Sequence, residues 1–201
     1  MKKILFIPLL AMQLHALEIE HDGYIRVGYQ TFNNESDTVD EKDMSIGGKF
    51  NLELIANENF RVGATLLSTN ALIEPSGYGV PFYSTNLSSY TILAEAYLKA
   101  NFSKTLLTIG RQELDTPYAQ PDDVAMVPNR FEGVTLKSNE IEDTTLLLGY
   151  LTKWSGMDSA QDRAHFSKMN GDDGVWMANI TYKGIENLKL QAWLYAMDNF
   201  A

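Results

Sequence analysis

Nine stretches of this chain alternate apolar and polar residues with period two, and the links between them alternate just as regularly between short and long. Residues 90–100 are the cleanest case: Tyr90, Ile92, Ala94, Ala96 and Leu98 fall on one side, and Thr91, Glu95, Tyr97 and Lys99 on the other. Residues 24–31, 44–56, 60–69, 104–112, 130–138, 144–153, 175–183 and 188–197 follow the same scheme. Period two is the mark of strands with one apolar and one polar face. The links near Asn57, Asn101, 138–143 and 184–187 are short, whereas those at 33–43, 69–89, 113–129 and 154–173 run to about ten to twenty residues.

A sandwich has no reason to sort its loops in this way. An outer-membrane β-barrel does, because its strands of about ten residues join through short periplasmic turns and longer extracellular loops. The apolar sides, such as Ile25, Val27 and Tyr29 or Phe60, Val62 and Leu66, then meet lipid, and the polar sides line the interior. The expected fold is all-β, a transmembrane antiparallel barrel with about nine strands present. No strand edge stays unpaired in hydrocarbon. Nine is odd, single-chain bacterial barrels are even-numbered, and the last strand has no partner. Half of an eighteen-stranded barrel accounts for both facts. Residues 17–201 are therefore expected to be the N-terminal part of a single β-barrel domain, with the chain a fragment.

Residues 1–16, MKKILFIPLLAMQLHA, join two lysines, an apolar run and a small residue at Ala16. That is the pattern of a secretory signal peptide, too short to span a bilayer, with cleavage expected after Ala16. Composition excludes other classes. The net charge of −10 argues against a nucleic-acid partner, whose footprint is a basic face. Without cysteine there is neither a disulfide framework nor a thiolate site.

The charged, proline-containing link within GRQELDTPYAQPDDVAMVPNRFEG, and its continuation VTL, resemble the signature region of the OprD-like outer-membrane porins in their epsilonproteobacterial form. The start HDGYIRVGYQ, the turn from Lys99 to Phe102 and the closing LQAWLYAMDNF resemble the same family. Ala125 stands where that pattern usually has a basic residue. The resemblance implies the N-terminal half of a passive channel for small, often charged solutes such as amino acids and carboxylates. The implied partners are outer-membrane lipid and the solutes; the resemblance leaves open whether the chains form a homotrimer.

On this reading the residues that line the pore and set its selectivity are Arg26, Lys49, Arg61, Glu95, Tyr97 and Lys99 on the strands. Arg111, Glu113, Asp115, Asp122, Asp123 and Arg130 add to them in and around the long link. Parity also turns Glu53, Lys104, Lys137, Lys153 and Lys189 inward, a basic track that biases a water-filled channel toward anions. Three prolines stiffen residues 113–129, and the apolar Val124, Met126 and Val127 need a wall to pack on. That segment is expected to fold into the barrel, against Tyr97 or Phe131.

Enzyme readings find little support. Asp122–Asp123 and Asp172–Asp173 lack the D-x-D-x-D-G spacing of a calcium loop. His21 and His165 belong to no metal motif, and no G-x-S-x-G elbow exists. The expectation is a channel with no catalytic residues, metal or cofactor. The alternative is a secreted or periplasmic β-sandwich that binds ligand or carbohydrate through aromatic-rich loops such as residues 76–83.

Overall fold

All nine alternating stretches form strands in the computed structural model, which describes residues 17–32, 41–75, 82–159 and 162–198. They are β1 (Glu18–Phe32), β2 (Glu41–Ile55), β3 (Phe60–Ala71), β4 (Tyr90–Phe102), β5 (Thr105–Gln112), β6 (Arg130–Ser138) and β7 (Thr144–Ser155), then β9 (Val175–Ile185) and β10 (Leu188–Met197). Between β7 and β9 lies a two-residue strand, β8 (Ser167–Lys168), that no alternation announces; it pairs with Lys153 and Trp154. The signal-peptide stretch, the loop acids Glu35, Asp37 and Asp40, and residues 76–81 lie outside the described residues.

Each strand pairs antiparallel with its neighbour in one sheet, ordered β1-β2-β3-β4-β5-β6-β7-β9-β10, with β1 and β10 at its edges. One continuous meander is not a sandwich, which needs two packed sheets. Short turns carry the chemistry that tight hairpins require. Asn57 Oδ1 accepts from the N–H groups of Asn59 and Phe60 at 2.9 and 3.0 Å, and Ser103, Asp143 and Asn187 take positive φ at the other three turns.

The faces are inverted relative to a soluble sheet. Ile25 is 81% exposed, and Phe50, Val62, Leu98, Ile109, Trp176 and Leu194 are exposed with it. The opposite face buries Ser45, Glu53, Thr65, Thr69, Thr108, Thr135 and Thr181. Water on both sides would select against this pattern; lipid outside and a polar interior select for it.

Bulges on β3–β4 and β6–β7 break the simple parity, and a third register shift falls between Leu188 and Leu190 on β9–β10. On β3–β4 the register runs Thr65↔Glu95 and then Leu66↔Leu93, leaving Ala94 as the extra residue. Above it the faces of β4 swap. Leu93 is exposed, and Ile92 and Ala94 are buried against Leu67, so the expected apolar lipid side of Tyr90, Ile92 and Ala94 is corrected to an inward one. A bulge adds one unpaired residue and so reverses everything beyond it. On β6–β7 the pairing jumps from Glu132↔Lys153 to Gly133↔Leu151, with Thr152 extra.

Candidate functional site: a charged inner face crossed by a folded-in loop

Residues 113–129 lie across the polar face. Their course is irregular but held at several points. Thr116 N–H donates to Ala119 O at 2.9 Å, Asn129 N–H to Pro121 O at 2.6 Å, and Asn129 Nδ2 to Asp158 Oδ2 at 2.6 Å. Ala119 packs on Phe131, Leu151 and Met177, and the Tyr118 ring meets that of Tyr195 on β10 at 4.9 Å. Val127 packs on Leu67, Ile92 and Ala94, and Met126 on Phe82 and Tyr83. At the far end Asp123 pairs with Arg26 of β1 at 2.8 Å. The segment thus reaches from one edge strand to the other.

The partners of this segment differ from the expected ones. Val124 is 65% exposed, Ala119 rather than Met126 or Val127 sits on Phe131, and Tyr97 belongs to neither cluster. The bulge at Ala94 is the reason, since it turns Ile92 inward to receive Val127. The neighbouring loops close over the same end. Tyr83 O–H donates to Met44 O at 2.9 Å, Arg163 Nη1 donates to Tyr83 O at 3.2 Å, and Thr85 N–H donates to Asp162 Oδ1 at 3.3 Å.

Beneath the segment the charges are arranged in shared clusters. Glu53 holds Arg61 at 3.1 Å and Lys99 at 3.0 Å, and accepts the Tyr97 O–H at 2.7 Å. The Lys99 ammonium also stands 4.3 Å over the Tyr97 ring. Lys49 pairs with Asp22 at 3.1 Å. Glu95, Tyr97, Lys99, Glu113 and Asp115 line one open recess, and Lys137, Lys183 and Lys189 line a second with Thr181 and Gln191.

Two arginines of the sequence-derived set sit differently from the rest. The Arg130 side chain is 2% exposed, clamped between Glu95 at 2.8 Å and Glu113, with Nη1 donating to its neighbour's carbonyl, Asn129 O, at 2.8 Å. It anchors the end of the folded-in segment. Arg111 shares Glu132 with Lys153, each at 2.9 Å, on positions that alternate with Gln112 and Phe131; its guanidinium stacks 4.2 Å over Phe166. Asp122 takes φ 43°, a left-handed turn position that aspartate tolerates. Among the described residues no group of three or more His, Asp or Glu is placed to hold a metal ion.

Glu53 is the central residue that the sequence-derived set omits. Its parity was visible; its three partners, on two other strands, were not. The register gives them: Glu53↔Gly63 and Ile55↔Arg61 across β2–β3, then Gly63↔Tyr97 and Arg61↔Lys99 across β3–β4.

Comparison with known proteins places this geometry. A search of curated proteins finds no match. Among solved structures, OccAB1 of Acinetobacter baumannii superposes with a TM-score of 0.71 at 22% identity, over 90% of this chain and 45% of that one. Pseudomonas aeruginosa OpdK with vanillate gives 0.63 at 20% identity, over 90% and 48%. P. aeruginosa OccK2 (OpdF) in complex with glucuronate gives 0.62 at 16% identity, over 90% and 46%. The likeness is one of fold, and the chain spans about half the length of the porins it matches. The family model for outer membrane porins of the OprD family matches residues 84–200, more than half of the sequence. The chain belongs to the OprD family of outer-membrane porins.

Proposed function

We propose that this chain contributes the N-terminal half, residues 17–201, of an eighteen-stranded outer-membrane channel through which small hydrophilic, charged solutes diffuse passively. One observation carries the reading: a loop of 17 residues, 113–129, lies across a polar, charge-lined concave face instead of standing away from it. A folded-in loop narrows a pore, and ion sorting is strongest where the nearest charges are close. The free edges of β1 and β10 and the half-length match to solved porins support the half-barrel assignment. OprD-family porins are channels, not enzymes, and reside in the outer membrane.

The proposed solutes are carboxylates and amino acids. Vanillate and glucuronate, bound in two of the matched structures, are both carboxylates. The proposed pore-lining set is Arg26, Lys49, Arg61, Glu95, Tyr97 and Lys99 with Glu113, Asp115, Asp122 and Asp123; Arg130 holds the segment through Glu113, and Arg111 ties β5 to Glu132 of β6. Lys137, Lys183 and Lys189 make permeation anion-leaning despite the acidic total. Export by residues 1–16, with cleavage after Ala16, completes the proposal. The epsilonproteobacterial subtype rests on the sequence resemblance alone, and the mass of the detergent-extracted protein decides between a single chain and a homotrimer.

The test is conductance of the full-length protein in planar bilayers. Discrete channel steps with an anion-leaning reversal potential are expected. Asp122→Cys, in a chain without other cysteines, should lose most of its current on reaction with a bulky charged thiol reagent. Complete labelling with unchanged current would put the segment outside the pore.

A further inference from the structure

We infer that Glu53 is a specificity-determining residue of the channel, the built-in counterion that limits how strongly Arg61 and Lys99 favour anions. The inference rests on the channel reading above. Three donors from two other strands converge on this one carboxylate: Tyr97 O–H at 2.7 Å and Lys99 Nζ at 3.0 Å on Oε2, and Arg61 Nη1 at 3.1 Å on Oε1. The Glu53 side chain is 8% exposed, whereas those of Arg61 and Lys99 are 37% and 31% exposed. The carboxylate is thus hidden behind the cations it holds.

The backbone is built to allow this. Gly63 pairs with Glu53 on one side and Tyr97 on the other, and a Cβ at Gly63 would run into the Tyr97 ring. The missing side chain lets the ring lie flat across β3, so that its hydroxyl reaches Glu53 on the strand beyond. Tyr97 therefore fixes the carboxylate, and the carboxylate fixes the two cations.

The consequence for a passing ion follows from charge and geometry. The cluster has a net charge of +1 rather than +2, and each cation keeps N–H groups that Glu53 does not use. A solute carboxylate meets oriented donors but must share them with Glu53. Such a site attracts anions without trapping them, which conduction requires. Neutralising Glu53 adds one net positive charge to the lumen wall. A unit charge about 7 Å from an ion in a water-like medium changes its local concentration about threefold. Salt at 0.1 M roughly halves that free energy, but anion gain and cation loss multiply. The permeability ratio should therefore move by about threefold.

The experiment is the reversal potential of the full-length channel in a potassium chloride gradient. Glu53→Gln is expected to raise the anion-to-cation permeability ratio about threefold over wild type. The charge-matched double variant Glu53→Gln/Lys99→Gln should restore the wild-type ratio. An unchanged ratio in Glu53→Gln, with normal heat-dependent gel mobility, would overturn the inference. If Glu53→Gln does not fold, Lys99→Gln and the double variant decide: a ratio about threefold below wild type in Lys99→Gln that returns to wild type in the double variant supports the inference, and equal ratios in the two refute it. A wild-type protein that passes no current refutes the channel reading instead.

Discussion

Replacing Arg130 by methionine should release the folded-in segment at its C-terminal end. The side chain is 2% exposed and makes three charge-assisted contacts, to Glu95, to Glu113 and to Asn129 O. Their weights differ. Glu95 is only 12% exposed, and losing its cation leaves a carboxylate unpaired in a dry setting, a loss of about 3 kcal/mol at the low end for buried pairs. Glu113 is 51% exposed and its share is a fraction of a kcal/mol after screening by water. The carbonyl bond adds about 1 kcal/mol. The sum is roughly 4 kcal/mol, nearly three decades in the equilibrium between a seated and a released segment. The assay is urea unfolding in lipid vesicles, read by gel mobility without boiling, alongside single-channel noise. Adding Glu95→Gln to Arg130→Met removes the orphaned charge and should return at least about 2 kcal/mol. A loss below about 1 kcal/mol for Arg130→Met, or no recovery in the pair, would show that the clamp is ornamental to the segment's position.

Three further outcomes follow from the same geometry. Gly63→Ala should destabilise the sheet by roughly 1–3 kcal/mol through overpacking against Tyr97, and Tyr97→Ala should relieve it; equal unfolding midpoints for single and double variants would contradict the packing argument. Val127→Ala should cost about 2 kcal/mol of segment seating, because Val127 is buried on Leu67, Ile92 and Ala94, and should speed thiol labelling of Asp122→Cys; an unchanged labelling rate counts against it. At Asp162 burial raises the carboxyl pKa, but N–H bonds from Ala164 and Thr85 and the contact with His165 outweigh it, holding the group below its ordinary 3.8. A lowered folded-state pKa stabilises above the unfolded value and loses that contribution as pH falls through the folded one. Hydrogen-exchange protection of the Thr85 and Ala164 amides should thus be flat from pH 7 to about 5 and fall below about pH 4; a loss centred near neutrality would point to a different group.

The architecture was legible because barrel strands report their two faces in period-two code and their two ends in loop length. Residues 60–69 needed no partner to be recognised as a strand, and β3 spans Phe60–Ala71. The code fails where a strand's face is set by its neighbour. Nothing local in TILAEAY marks Ala94 as the extra residue; the shift exists only because Leu66 pairs with Leu93. Strand β8 escaped notice for the same reason, being two residues that are extended only through their contact with Lys153 and Trp154.

The charged face shows the same divide at the level of the site. Parity alone turns Arg61, Lys99 and Glu53 toward the interior, and counting them singly gives a strip of cations with an incidental acid. Register changes the chemistry, since it brings residues 8 and 46 positions from Glu53 onto its two oxygens. Two of the cations credited with attracting anions are thereby half neutralised, whereas Lys137, Lys183 and Lys189 share a recess with hydroxyl and amide groups. The electrostatic weight of the inner face accordingly moves from β3–β4 toward β6, β9 and β10. Total charge misleads in the same direction: at −10 the chain is acidic, yet an ion in a narrow passage responds to the charges within about one Debye length, about 10 Å at 0.1 M salt. Replacing Lys137, Lys183 and Lys189 by glutamine should therefore lower anion preference more than replacing Arg61 and Lys99. The opposite order would mean that Glu53 leaves its two partners electrostatically free.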